Sequence, residues 1–147
     1  MADIRGYKDL IAWQKAMTLV ETVYQITGRF PAQERFCLVP QVRRAAISIP
    51  SNIAEGHGRR SRADYVRFLD IARASANELE TQLLIAVRLR YLAEHVISPA
   101  VNLCDEVQRI IKGLIMSLEK DRERPRRQAA SELRAQSSEL SDEQPQS

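Results

Sequence analysis

Apolar residues recur along this chain at three- and four-residue steps, the spacing that keeps them on one side of an α-helix, and nowhere alternate as a strand would. Leu10, Trp13, Met17, Val20 and Tyr24 predict a first helix from about Tyr7 to Thr27. Gly28 stands where a C-cap belongs, and Phe30–Pro31 make the exit turn. Val39, Val42, Ala46, Ile49 and Ile53 predict a second helix, stopped by Gly56 and Gly58. A third opens at Ser61, a good N-cap residue, with Asp64 three positions on as an approximate capping box. Its stripe is Tyr65, Phe68/Leu69, Ala72, Ala76, Leu79, Leu83 and Ala86. A fourth runs from about Ser98–Pro99 through Ala100, Leu103/Cys104, Val107, Ile110/Ile111, Leu114 and Leu118. Pro99 suits the first helical position, where its missing N–H is harmless.

Each stripe is one-sided, so no helix is stable alone and all four must share a core. Short connections between long helices favour antiparallel neighbours. The expected fold is therefore all-α, an antiparallel up-down-up-down four-helix bundle over residues 1–124. Residues 125–147 hold no aromatic side chain and little bulky apolar surface beyond Leu133 and Leu140. They read as a disordered or weakly helical tail.

The second helix departs from the simple pattern. Pro50 removes a backbone hydrogen bond in mid-helix and clashes with the carbonyl four residues back, a cost of about 3 kcal/mol that predicts a kink. Ala45, Ser48, Asn52 and Gly56 form a line of small residues beside the main stripe, and Ile47 and Ala54 lie on yet another side. A helix with two faces to bury predicts a contact with another subunit through Ala45, Ile47, Ser48, Asn52 and Ala54. The competing reading is a tight seam with the third helix of the same chain.

Composition narrows the class. The chain has 147 residues, a single domain's length, and no apolar run near the roughly 20 residues that span a bilayer. The opening MADIRGYKDL lacks an apolar signal core, so a cytoplasmic location is expected and no membrane partner. Cys37 and Cys104 have no ligand-type neighbours in sequence and read as small buried hydrophobes.

Charge is uneven. The net charge is +3, yet Arg29–Arg73 alone carries nine arginines against Glu34, Glu55, Asp64 and Asp70. Arginine's planar guanidinium suits phosphate, which makes an anionic partner the chemical inference. Arg59, Arg60 and Arg62 cluster where the third helix begins, and free N–H groups there already favour anions. For these three, ligand binding is the stronger reading. Arg43 and Arg44 are adjacent, hence about 100° apart on the second helix. Pairing the second and third helices antiparallel about Gly58 brings them level with Asp70–Glu78, so salt bridges within the bundle are the stronger reading there.

Catalytic chemistry finds little support. His57 and His95 are the only histidines, and Ser48, Ser51 and His57 have no orienting acid in view. Gly56-His57-Gly58 lacks the preceding strand of a nucleotide fingerprint. No catalytic, metal or cofactor site is expected. Trp13 and Tyr65 could stack on bases, but both sit on apolar stripes, and core packing is the stronger reading.

Gln41-x-Arg43-Arg44-Ala45-Ala46-x-Ser48-Ile49-Pro50-x-Asn52-Ile53-Ala54-Glu55-Gly56 is a long and specific string. With the opening YKDLIAWQKAM, it resembles the four-helix-bundle family of bacterial 23S rRNA intervening-sequence proteins, and the likeness runs from about Tyr7 to Leu118. The chain departs from that pattern at Cys37, usually glycine, at Pro40, usually small or polar, and at His57, usually aromatic. Pro40 further suggests that regular helix begins only there. The resemblance implies a ring-shaped homopentamer of bundles. It also implies a similarity to the accessory proteins of diversity-generating retroelements, which bind nucleic acid and a reverse transcriptase. The partners so implied are further copies of the chain, RNA or DNA, and a nucleic-acid-processing protein.

Overall fold

Four long helices carry the chain: α1 (Ile11–Thr27), α2 (Leu38–His57), α3 (Arg62–Arg88) and α4 (Glu94–Ser141), with single 3₁₀ turns at Tyr7–Asp9 and Ala32–Glu34. The computed structural model describes residues 3–141, with side chains as far as 121 and again over 133–136. No strand occurs among the described residues. The helices form a helical bundle in which α2 packs on α1 and α3, and α4 packs on α1 and α3. One core fills the space between them. Leu19 and Val23 of α1, Ile49 and Ile53 of α2, Leu79 and Leu83 of α3, and Val107 and Ile111 of α4 are fully buried in it. Burying an aliphatic side chain of this kind stabilises by roughly 1.5–3 kcal/mol each.

Local chemistry explains the helix ends. Ser61 is extended and its Oγ accepts from the Asp64 N–H at 3.1 Å, satisfying one of the orphan donors of α3. The Glu34 carboxylate does the same for α2, accepting from the Leu38 N–H at 3.1 Å. The C-terminus of α3 ends in a Schellman motif: Tyr91 N–H bonds the Ala86 carbonyl and Arg90 N–H the Val87 carbonyl, both at 2.9 Å. Arg90 holds the left-handed position with φ 63°, a place that normally favours glycine.

The first stripe is rotated from its expected place. The buried apolar residues of α1 are Ala12, Ala16, Leu19, Val23 and Ile26, whereas Trp13 and Val20 are half-buried and Met17 and Tyr24 exposed. Two of these are alanines, fully buried, while the larger side chains ride at the rim. Hydrophobicity ranks these side chains by size, whereas helix packing selects small ones at close contacts. The stripe of α2 falls as expected, as do those of α3 from Leu69 and of α4 as far as Ile111; Tyr65, Leu114 and Leu118 are only half-buried, and Ile115 is buried.

Other boundaries move by physics the pattern does not carry. Pro40 is the third residue of α2, not its beginning; no intrahelical partner exists there for its missing N–H to lose. Pro99 is the sixth residue of α4 rather than the first. Water can take over the carbonyl it frees at His95, because both residues are exposed. α4 runs on past Leu118 and through Pro125 to Ser141, and Leu133 through Gln136 are exposed. Residues 142–147 of the expected tail lie outside the described residues. Cys37 is exposed, in contrast to the expectation, because it sits in the connection ahead of α2. Cys104 is buried, and desolvation pushes its thiol up to about 12.

Candidate functional site

The small-residue line of α2 is settled by its partners. Ser48 Oγ lies 2.8 Å from Ser75 Oγ, and Asn52 Nδ2 donates to both the Ser48 carbonyl (2.7 Å) and Ser48 Oγ (2.9 Å). Ala45 is buried. A Cβ on Gly56 would stand 2.8 Å from Phe68 Cβ and 3.0 Å from Tyr65 Cδ2. This side of α2 is therefore a tight seam with α3 of the same chain, with Ser48 bonded across it, Asn52 bonded to Ser48 and Ala45 buried. Close approach needs small residues, which is why the line exists. Ile47 and Ala54 face elsewhere. With Pro50 and Ser51 they adjoin Tyr7, Trp13, Met17 and Val20, lining an open cleft of about 310 Å³ between α2 and α1. Trp13 meets Tyr7 edge-on at 5.4 Å.

The arginines separate into bound and free. Arg59 Nη2 lies 2.7 Å from Glu55 Oε1, one turn back on the helix. Its guanidinium also lies 4.7 Å from the centre of the Phe68 ring, as does that of Arg67. Arg67 Nε is 3.7 Å from Asp64 Oδ1. Arg59 is thus held within the chain, contrary to the expectation, because a carboxylate four residues away and an aromatic face are both in reach. Arg60 and Arg62 are exposed and form no ion pair with a described residue. Arg43 does not turn to Asp70–Glu78. Its Nε donates to Thr27 Oγ1 at 2.9 Å and its guanidinium covers the Tyr24 ring at 4.3 Å, so it is tied to α1. Arg44 is exposed without an ion pair among the described residues.

His57 is the last residue of α2, edge-on to Tyr65 at 5.8 Å, and His95 is exposed in the first turn of α4. Among the described residues no group of three His, Cys, Asp or Glu side chains could hold a metal ion. The Tyr65 hydroxyl is buried without a hydrogen-bond partner, and desolvation raises its pKa. Among the described residues no helix is long and apolar enough to cross a membrane.

Residues 8–113 match the model of the 23S rRNA-intervening sequence protein family. The chain belongs to that family. Among solved structures, it is similar to a protein of unknown function from the S23 ribosomal protein family of Bacteroides thetaiotaomicron. The identity is 25%, the TM-score 0.67, and the match covers 71% of this chain and 98% of that one. No curated protein matches the chain. Arg43 and Arg44 lie inside the matched region, but their side chains do different things: one grips α1, the other meets solvent.

One exposed residue escapes sequence reasoning altogether. Phe36, in the connection between α1 and α2, is 86% exposed. It belongs to no apolar periodicity, and a lone aromatic in a loop carries no pattern that distinguishes a rim residue from a core one.

Proposed function

We propose that this family member is a non-enzymatic cytoplasmic protein, an antiparallel up-down-up-down bundle that assembles with copies of itself into a ring-shaped homopentamer and binds RNA or DNA through phosphate. The observation that carries the nucleic-acid reading is the set of exposed arginines without carboxylate partners among the described residues, Arg44, Arg60 and Arg62. Guanidinium groups at a helix start suit phosphate oxygens, and repetition around an assembly multiplies a modest patch. The assembly reading is supported by the open apolar cleft between α1 and α2, whose lining includes Trp13, Met17 and Ile47, and by the family resemblance.

Binding through phosphate weakens with salt, with a log–log slope of about −0.7 per neutralised phosphate on single strands or −0.9 on duplex DNA. Titration of labelled RNA at several salt concentrations measures it. Replacing Arg44, Arg60 and Arg62 together by glutamine lowers affinity for unrelated sequences alike and flattens the slope. Unchanged binding in that variant overturns the arginine assignment. Light scattering reports a mass near five chains of 16.7 kDa, and Ile47→Asp lowers it; a monomeric parent overturns the assembly. An assembled parent without affinity for nucleic acid leaves the second reading, a scaffold that docks another protein without binding nucleic acid itself.

A further inference from the structure

Phe36 is exposed but not loosely held. The turn that carries it is closed by Glu34 N–H to the Pro31 carbonyl (2.9 Å), Arg35 N–H to the Ala32 carbonyl (3.1 Å) and Cys37 N–H to the Glu34 carbonyl (3.1 Å). The Glu34 carboxylate anchors the turn twice, accepting from the Leu38 N–H on one oxygen and from the Tyr91 hydroxyl (2.8 Å) on the other. An apolar ring in water on a tethered turn is a preorganised contact surface, and presenting it to a partner costs little further ordering.

The ring helps line a cleft of about 370 Å³, together with Thr27, Phe30, Arg35, Val39 and Arg43. The size suits a small organic group. Arg35 stands with its guanidinium 5.8 Å from the Phe36 ring centre, and Arg43 is fixed by Thr27 and the Tyr24 ring. Glu34, the nearby carboxylate, already has both oxygens engaged. The occupant must therefore combine a flat, weakly polar face for the ring with negative charge for two guanidiniums. An acidic peptide without an aromatic side chain satisfies only the second demand. A base in a duplex is already stacked and cannot offer its face. A nucleotide of a single strand satisfies both.

We propose that Phe36 stacks one unpaired base of a single-stranded nucleic acid at the mouth of this cleft, with Arg35 and Arg43 on the adjoining phosphate. This rests on the nucleic-acid reading above and adds a preference that phosphate contacts alone do not produce. Stacking on an aromatic side chain tolerates every base, so the site selects strand state rather than sequence.

The test compares oligothymidine with an abasic phosphodiester strand of equal length, which keeps the phosphates and removes the bases. The parent binds the base-bearing strand on the order of 10-fold tighter. Phe36→Ala brings that ratio to about one with the salt slope unchanged, and Phe36→Tyr keeps it. Because the ring is exposed, Phe36→Ala folds as the parent does, which circular dichroism checks. A Phe36→Ala protein that retains the preference overturns the inference and leaves the phosphate reading standing. A parent that binds neither strand overturns both. A fall in assembly mass on Phe36→Ala assigns the ring to a subunit contact and overturns the stacking site.

Discussion

The two ends of the bundle treat similar residues in opposite ways. Where α2 turns into α3, Arg59 and Arg67 flank the Phe68 ring from 4.7 Å and each has a carboxylate nearby, Glu55 and Asp64. At the other end, where the α1–α2 connection meets Tyr91 beyond α3, Arg35 and Phe36 stand in solvent beside an open cleft. Both ends join arginine to phenylalanine. One is closed by its own carboxylates, the other is left unfilled. Arginine density therefore does not by itself mark a binding surface; what each guanidinium touches in the folded chain decides whether it is available.

The thiols offer the widest contrast. Cys37 beside Phe36 is exposed, whereas burial in α4 pushes Cys104 from 9.0 to about 12. A thiol reagent at neutral pH is expected to modify Cys37 at once and Cys104 only on unfolding, with roughly a thousandfold less thiolate at Cys104 in the folded chain. Two equal fast phases would break the contrast. Since the folded thiol holds its proton more tightly than the unfolded one, its contribution is present below about pH 9. It is lost as pH rises from there toward about 12. Unfolding measured across the alkaline range is expected to show falling stability.

Truncations separate core from surface next. Ile53→Ala, near the closed end, removes a fully buried side chain and is expected to cost roughly 3 kcal/mol. Phe36→Ala is expected to change stability by no more than about 0.5 kcal/mol. Urea denaturation of both variants measures the difference, and comparable losses would mean that the open end is packed.

Gly56→Ala probes the seam itself. The added Cβ meets Phe68 Cβ at 2.8 Å and the Tyr65 carbonyl at 3.2 Å, atoms that move only with the helix. Overpacking costs about 2 kcal/mol, offset in part by alanine's better helix propensity of about 1 kcal/mol. A net loss of about 1 kcal/mol is expected by the same method, and a gain would show a seam that opens easily. Smallest is Arg90→Gly, which relieves the left-handed backbone at the α3 terminus. It is expected to stabilise by about 0.5–1 kcal/mol and raise the melting temperature, because glycine holds φ 63° without a Cβ clash.

Much of the fold was legible because its signals are local. The three- and four-residue steps placed α2, α3 and the buried stripe of α4, and Ser61 marked a helix start whose bond to Asp64 N–H is present. The resemblance carried by the Gln41–Gly56 string agrees with the family match over residues 8–113. α1 was read one residue out, because Ala12 and Ala16 carry little hydrophobic weight yet are fully buried.

Helix number, the buried faces of three helices and family membership were therefore determined by the chain's order of residues alone, since periodicity and caps act within a few positions. Which arginines are free was decided only by tertiary structure. Arg43 reaches Thr27, 16 residues away, and Tyr91 reaches Glu34, 57 residues away. Contacts of that span depend on how helices are rotated and seated against one another, and no local pattern records it. The same holds for the division of α2 into a side closed by Ser75 and a side left open with Ile47. Small residues state that something comes close; the packed core states what.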